Sequence, residues 1–258
     1  MDISKWFPTL PTGIDGKSLH PDRITTLEKM LSDKYGKNAS IKSVERLRSK
    51  KNIVVHLKID VEKPVDIVAK MFVVDKFNIE QRILKASWDK GLAVPKIIKA
   101  EDGVILMDFI SGNLLVDALN QSFDTNLTDM LAEWYYNYHI THGMVKGDPR
   151  LRNFILHNGR IFGVDFEESG SAYWMFDIGG TAASLLDTDP IFDARKRRLC
   201  WRFLEKYLDF KGQVRNDEID QKFITTVADV LKQTSEWRED SEILNLSKNI
   251  RQNGIPTD

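Results

Sequence analysis

Hydrophobic and polar positions alternate with a period of two in the first part of the chain. Residues 53–61 place an aliphatic side chain at every second position, with histidine, lysine and aspartate between them. This pattern predicts a half-buried strand, because successive side chains of a strand point to opposite faces. Apolar runs at 41–47, 66–74, 97–98 and 104–110 predict further strands, five in all.

Apolar residues recur at helical spacing in the segments between and after these strands. Residues 1–21 are rich in turn formers and predict an irregular lead-in, and residues 21–35 predict a helix that Asp22 caps and Gly36 ends. A second helix follows the third strand, with Ile79, Ile83, Leu84 and Trp88 as its apolar stripe. Later helices are predicted at 114–119, 127–138 and 177–186, with three more within 191–250.

One segment of the second half combines polar residues with a hairpin pattern. Asp148 is followed by Asn153 five residues later and by Asp165 twelve residues after that. Two short apolar runs lie between Asn153 and Asp165, and they are separated by Asn158 and Gly159, which favour a tight turn. A hairpin here would bring Asn153 close to Asp165, with Asp148 on the loop before it.

This set of residues suits phosphoryl transfer. A carboxylate orients the attacking hydroxyl, while an amide oxygen and a second carboxylate hold Mg²⁺. Asp148 is therefore the candidate catalytic base, and Asn153 and Asp165 are the candidate metal ligands. A surface hairpin with solvated polar residues is the alternative, and the strand-borne Asp-Phe-Glu at 165–167 argues against it.

The same segment resembles the catalytic and metal-binding loops of the protein-kinase-like fold. Asp-Phe-Glu at 165–167, followed by Phe-Asp-Ile-Gly at 176–179, is similar to the choline/ethanolamine kinases, which with the aminoglycoside phosphotransferases form its small-molecule branch. The resemblance implies an α+β bilobal fold. Residues 1–109 would form a small N-lobe with an antiparallel sheet and a helix, and 110–258 a larger, mostly helical C-lobe.

The resemblance also implies nucleotide-binding residues in the N-lobe. Lys70 lies inside an apolar strand, where an unpaired charge is costly. It is similar to the lysine that contacts the nucleotide phosphates, and Glu80 on the next helix is its expected partner. Snorkelling of Lys70 at a sheet edge is the alternative.

Two other sites in the N-lobe are expected to contact the nucleotide. The turn between the first two strands contains no glycine, and Lys50 and Lys51 would act as a phosphate clamp or be a solvated basic turn. Met107, Asp108 and Ile110 lie where the resemblance implies a hinge whose backbone groups bind adenine.

Two further residues of the catalytic segment receive roles from the resemblance. Arg150 stands where protein kinases have a lysine that neutralises the phosphate in transfer, and Asp177 would support the catalytic loop by hydrogen bonds. The chain departs from the family at Lys146, where a histidine is usual. The implied activity is an ATP- and Mg²⁺-dependent transfer of the γ-phosphate to a hydroxyl group.

The composition of the chain indicates the cellular environment in which this activity would take place. The chain has 258 residues, a formal net charge of −1 and a single cysteine, Cys200. The charge gives no general attraction to DNA or to an anionic membrane, and one cysteine excludes an internal disulfide framework. The sequence shows no apolar run of membrane-spanning length and no signal peptide at its start. A cytoplasmic location without membrane attachment is therefore expected.

The phosphate acceptor stays open at this stage. Glu167, Glu168, Tyr173 and Trp174, with Trp201 or Trp237, would suit a cationic small molecule such as an amino alcohol or aminoglycoside-like compound, and a sugar is also considered. A protein serine or threonine, or an RNA hydroxyl, is the first alternative. The basic run 195–198 is either a solvated helix face or a contact for an anionic substrate or RNA. A nucleotide-binding pseudokinase scaffold is the second alternative.

Overall fold

The computed structural model describes residues 3–36 and 39–257, so the first two residues of the predicted lead-in lie outside the described residues. The chain forms two compact units. The first contains the described residues up to Trp88 together with Pro95–Ile110, and the second contains Asp89–Val94 and the described residues from Ser111 onward. The functions predicted for 1–109 and 110–258 stay predictions.

The first unit is built on an antiparallel sheet of five strands. They are β1 (Ser40–Leu47), β2 (Ile53–Asp60), β3 (Val65–Met71), β4 (Ile97–Glu101) and β5 (Val104–Asp108). Their order in the sheet is β1-β2-β3-β5-β4, and each neighbouring pair is antiparallel. The α+β fold class with an antiparallel N-terminal sheet is confirmed.

Two helices complete the first unit, α1 (Asp22–Tyr35) and α2 (Phe77–Asp89). α1 buries Leu27, Met30 and Leu31 in the same core as the sheet residues. Gly36 ends α1 with φ of 84° and donates its N–H to the carbonyl of Ser32. The expected cap by Asp22 is wrong, because Pro21 occupies the N-cap position and Asp22 already lies in the first turn.

Two positions of the first unit depart from the simple periodic pattern. His56 was expected on the polar face of β2, but it is buried, stacks on Phe109 at 3.8 Å and lies 2.6 Å from Asp66. Trp88 was expected in the apolar stripe of α2, but it is exposed and contacts the ammonium of Lys96 at 5.3 Å. Both side chains combine an apolar ring with a polar group, so periodicity alone does not fix their burial.

The second unit is mostly helical. Its helices are α3 (Leu115–Ser122), α4 (Thr125–His142), α5 (Met175–Leu186), α6 (Ala194–Lys211), α7 (Asp217–Arg238) and α8 (Ser241–Asn253). A small sheet contains β6 (Asn113–Leu114), β7 (Phe154–His157) and β8 (Arg160–Gly163) in that order. The β7–β8 hairpin was expected and β6 was not. Among the described residues, no helix has the length and apolar character needed to cross a membrane.

Four of these helices begin at a side chain that accepts backbone hydrogen bonds. Asp124, Asp193, Asn216 and Asp240 cap α4, α6, α7 and α8, respectively. Each carboxylate or amide oxygen satisfies an N–H group of the first turn that has no partner within the helix. These local signals fix the helix starts independently of the core.

An aromatic cluster on α4 holds the β7–β8 hairpin. The Trp134 ring lies 5.0 Å from Phe154 and 6.2 Å from Phe166, and its Nε1 donates to the carbonyl of Ala93 at 3.0 Å. Gly163 permits this approach, because a Cβ there would lie 2.2 Å from the Trp134 ring. The hairpin that carries Asn153 and leads to Asp165 is therefore packed directly on a rigid helix.

Candidate active site

The hairpin brings Asn153 and the segment of Asp165 together. Phe154 pairs with Gly163 at the open end of the hairpin, and the Val164 N–H donates to the Asn153 carbonyl at 2.9 Å. Asn153 therefore lies opposite the residue that precedes Asp165. The side chain of Asn153 is buried and that of Asp165 is partly buried.

Asp148 lies on the preceding loop and both of its carboxylate oxygens have a neighbouring donor. Asn153 Nδ2 donates to Asp148 Oδ2 at 3.0 Å, and Arg150 Nε lies 3.3 Å from Asp148 Oδ1. The Asp148 and Arg150 side chains each remain 27% exposed, so a substrate can reach them. The structure thus brings these three predicted site residues into one contact group.

The orientation of Asn153 fits a metal ligand. Its amide nitrogen is used by the carboxylate and the main-chain carbonyl of Asp148, the latter at 3.2 Å. The amide oxygen is on the opposite side of the group and is the hard ligand that Mg²⁺ prefers. Asp165, one residue beyond the hairpin contact, adds a carboxylate of the same chemical class.

Lys146 holds the backbone of both loops. Its side chain is fully buried, and its Nζ donates to the carbonyl of Asp165 at 2.8 Å and to that of Asp148 at 3.2 Å. The rings of Phe154 and Phe166 lie within 6 Å of the same ammonium, at 5.6 and 5.2 Å. Asp165 has φ of 62°, a left-handed conformation that is uncommon for non-glycine residues. A lysine at this position therefore performs a supporting role.

One face of α5 anchors the loop that carries Asp148. Asp177, Thr181 and Ser184 are spaced by four and three residues, so they lie on the same side of the helix. Asp177 accepts from the N–H groups of residues 146 and 147 at 2.6 and 3.1 Å, and Thr181 Oγ1 lies 3.1 Å from the Pro149 carbonyl. Ser184 Oγ accepts from the Leu151 N–H at 3.1 Å. Thr181 and Ser184 were not predicted from the sequence as supporting residues, although their spacing within an apolar helix could have indicated them.

His139 contributes to the same support. Its Nε2 lies 2.9 Å from Asp177 Oδ2, and its Nδ1 lies 2.7 Å from the Tyr207 hydroxyl. Both ring nitrogens are therefore used in the core. Burial raises the pKa of the Tyr207 hydroxyl, which keeps it a neutral hydrogen-bonding group. This geometry supports a packing role for His139.

Gly147 allows the loop to pass close to the segment after Asp165. It has φ of 85°, and a Cβ at this position would lie 1.9 Å from the carbonyl oxygen of Glu168. The neighbouring residue pair Val145 and Gly170 forms an isolated β-bridge. Only glycine fits between Lys146 and Asp148 without moving the main chain.

In the first unit, Lys70 and Glu80 form a buried ion pair. Lys70 Nζ lies 2.6 Å from Glu80 Oε2, and both side chains are almost completely buried. The lysine also lies 5.0 Å from the Phe72 ring. α2 thus provides the expected partner, whereas the contact of Lys70 with a nucleotide stays a prediction.

The turn that contains Lys50 and Lys51 is packed against the N-terminal segment. Ile14 donates its N–H to the Lys50 carbonyl at 2.9 Å, and a Cβ on Gly13 would lie 2.7 Å from the Lys51 carbonyl. Asn52 is buried and accepts from the Val73 N–H at 3.0 Å. The turn is therefore held by its main chain, and a phosphate clamp by its lysines stays a prediction.

The predicted adenine contacts lie at the end of β5. Met107 is buried, and the Asp108 N–H donates to the Lys96 carbonyl at 3.0 Å. The amide of Asp108 thus belongs to the sheet, and Ile110 lies two residues beyond the strand. Partial burial raises the pKa of the Asp108 carboxyl.

Among the residues suggested for an acceptor pocket, the rings of Tyr173 and Trp174 are in contact at 5.1 Å. Glu167 is buried, and Trp201 is buried with its Nε1 donating to the Ile255 carbonyl at 2.8 Å. Tyr173 is exposed, whereas the Trp237 ring lies 5.3 Å from the guanidinium of Arg150. The expectation for Trp201 is wrong, because its indole is used in the core beside α8.

Three residues of the basic run 195–198 make hydrogen bonds within the chain. Arg195 makes two hydrogen bonds to Asp193, at 2.9 and 3.1 Å, and Arg197 donates to two main-chain carbonyls. Lys196 is buried and donates to the Thr188 carbonyl at 2.6 Å. These contacts favour the structural interpretation of the run.

Comparison with known protein families identifies the family of this chain. The family model of the RIO domain matches residues 43–172, which is half of the chain. The chain belongs to the RIO domain family. The matched region contains Lys70, Glu80, Asp148, Asn153 and Asp165. The sequence pattern pointed to the kinase-like fold but not to this family within it.

A curated relative of this RIO domain chain is the probable serine/threonine-protein kinase BUD32 homolog of Archaeoglobus fulgidus. The two sequences are 25% identical over 131 residues, which cover 51% of this chain. The alignment spans 62% of the relative's own length, so less than two thirds of it is matched.

Solved structures with the same fold come from small-molecule kinases. The amicoumacin kinase hAmiN, in complex with AMP-PNP, Ca²⁺ and Ami, matches with a TM-score of 0.63 at 14% identity, covering 90% of this chain and 94% of its own. A choline/ethanolamine kinase family protein from Mesorhizobium loti matches with a TM-score of 0.62 at 10% identity, covering 89% and 94%. These matches confirm the bilobal kinase-like fold that the sequence predicted.

Proposed function

We propose that this RIO domain protein is an ATP-dependent phosphotransferase that moves the γ-phosphate to a hydroxyl group. The observation that carries the proposal is the contact group of Asp148, Asn153 and Arg150, held on α5 and next to Asp165. It combines a base, a metal ligand and a cation in one partly exposed loop. Family membership supports the same activity.

In the proposed reaction, Asp148 orients the acceptor hydroxyl and takes its proton. The bond between the γ-phosphorus and the bridging oxygen of ADP breaks, and a bond between the γ-phosphorus and the acceptor oxygen forms. Arg150 stabilises the negative charge on the oxygens in transfer. Charge stabilisation and positioning are the main contributions available, because the transition state is loose.

Asn153 and Asp165 are the proposed Mg²⁺ ligands. The amide nitrogen of Asn153 donates to Asp148, so its amide oxygen can serve as a metal ligand. Lys146 holds the backbone of Asp165 by a hydrogen bond to its carbonyl. When bound, the ion would neutralise the nucleotide phosphates and orient them. Two protein ligands are a usual number for Mg²⁺ in such sites, because water and phosphate supply the others.

The first unit would bind the nucleotide. Lys70, fixed by Glu80, is proposed to contact its phosphates, and Lys50 and Lys51 are proposed to add positive charge at the β1–β2 turn. At the end of β5, the Asp108 N–H already donates to the Lys96 carbonyl and is not proposed as an adenine contact. The proposed adenine contacts are therefore Met107, the carbonyl of Asp108 and the amide of Ile110.

Two acceptor classes are each favoured by a specific observation. The relative from Archaeoglobus fulgidus is named a probable serine/threonine-protein kinase, which favours a protein side chain. The structural matches that cover about nine tenths of the chain are named kinases of amicoumacin and of the choline/ethanolamine family, which favours a small molecule. We expect the small-molecule class first, with the protein class as its alternative.

The test is transfer of radioactive γ-phosphate from Mg·ATP to two acceptor sets. One is a pool of amino alcohols, aminoglycosides and sugars, and the other is dephosphorylated casein. The wild-type chain should label one set, and Asp148→Asn should lose about a thousandfold or more of this rate while its ATP affinity stays within a factor of a few. Retained transfer by Asp148→Asn would reject the base. ATP binding without transfer to either set or to water would favour a scaffold.

A further inference from the structure

The C-terminal end of α7 lies beside the catalytic loop. The Trp237 ring is the penultimate side chain of this helix and lies 5.3 Å from the Arg150 guanidinium. The same guanidinium lies 3.3 Å from the Asp148 carboxylate through its Nε. Arg150 is therefore held between an aromatic face and the candidate base. The three residues belong to the second unit.

The position of Trp237 is fixed by its neighbour in the helix. Arg238 Nη1 lies 3.0 Å from Asp187 Oδ2, and the Asp187 side chain is only 6% exposed. Burial raises the pKa of Asp187, while the positive charges of Arg238 and Arg150 oppose that rise. The end of α7 is thus anchored at the C-terminal end of α5, the helix whose polar face holds the catalytic loop.

Trp237 is an exposed tryptophan beside the loop that carries Asp148. Trp237 keeps 57% of its surface exposed, so core formation does not account for it. A flat ring is a suitable support for a planar guanidinium, and stacking restricts a side chain that otherwise samples many rotamers. The contact would keep Arg150 beside the transferring phosphate and not in solution.

We infer that Trp237 is a positioning residue for phosphate transfer, because it holds Arg150 next to Asp148. The inference rests on the proposed function, in which Arg150 stabilises the phosphate in transfer. Trp237 acts through Arg150 and does not itself touch the reacting atoms. Its loss should therefore lower kcat and leave the KM for ATP nearly unchanged.

The experiment is a double-mutant cycle on the rate of phosphate transfer from Mg·ATP to the labelled acceptor set, or to water if neither set is labelled. Trp237→Ala and Trp237→Leu should each lower kcat about three- to fivefold, and Trp237→Phe should recover most of the loss. In the Arg150→Ala background, Trp237→Ala should add less than a factor of about two. Thermal unfolding checks that each variant is folded.

Trp88→Ala is the matched control. Trp88 is also exposed, and it lies at the same 5.3 Å from a cation, the ammonium of Lys96. Its substitution should leave kcat unchanged. Equal kcat for wild type and Trp237→Ala, or losses that multiply fully in the double variant, would overturn the inference and leave the proposed function intact. A wild-type chain without any phosphate transfer would overturn both.

Discussion

At the scale of single residues, Lys146 explains how this chain keeps its catalytic loop without the usual histidine. Its ammonium donates to two main-chain carbonyls, of Asp148 and Asp165, and so joins the loop of the proposed base to the loop of a proposed metal ligand. A histidine reaches fewer acceptors at once, whereas an ammonium offers three donors. The substitution is therefore compatible with catalysis.

Lys146→Met tests this role. It should lower the free energy of unfolding by about 2–4 kcal/mol, because two partly buried carbonyls lose their donor. Transfer activity should fall further than stability alone explains, since Asp165 would lose the contact that holds its unusual φ. Chemical denaturation and the transfer assay measure both effects. Lys58→Met, on the exposed face of β2, is the control. A variant as stable and active as wild type would contradict the assignment.

At the scale of elements, α2 and β3 are joined by a buried charge pair. Breaking one partner of such a pair leaves an uncompensated charge in the core, whereas removing both charges does not. Lys70→Met and Glu80→Gln should each cost about 3 kcal/mol of unfolding free energy, and the double variant should cost clearly less than their sum. Denaturant titration provides the values. Additive losses would show that the two charges do not interact.

The buried lysine of α6 predicts a pH dependence. Burial lowers the pKa of Lys196 to about 8, from 10.5 for an ordinary lysine. Between these values the unfolded chain binds a proton that the folded chain does not, so this group makes stability rise with pH. The unfolding free energy of wild type should therefore rise relative to Lys196→Met between pH 8 and 10, by up to about 1.4 kcal/mol per pH unit. A constant difference would contradict the shifted pKa.

The elements themselves were largely predictable, because period and capping are local properties. The strands of the first sheet, the β7–β8 hairpin and the later helices follow from spacing, and four helix starts carry an Asp or Asn cap. The two-residue strand β6 was not predictable, since its pairing with β7 depends on tertiary contact. His56 and Trp88 were misplaced for the same reason.

At the scale of the whole molecule, the fold could be predicted from the sequence more completely than the contacts of the candidate site. The Asp148, Asn153 and Asp165 spacing pointed to the kinase-like fold, which the structural matches confirm. The face of α5 and the contact of Trp237 with Arg150 join residues 30 or more positions apart. The periodic pattern of a sequence does not specify such long-range pairings, so they were seen only in the three-dimensional structure.

Asn153 and Asp165 are proposed to hold a divalent ion together with the nucleotide. Electron paramagnetic resonance of Mn²⁺, added with AMP-PNP, measures this binding without any need for turnover. Wild type should bind one Mn²⁺ in a nucleotide-dependent manner, and Asn153→Ala and Asp165→Asn should each weaken it about tenfold or more. Asp129→Asn, whose carboxylate pairs with Arg202 on the surface, should not change it. Unchanged Mn²⁺ affinity in both site variants would contradict these two residues as metal ligands.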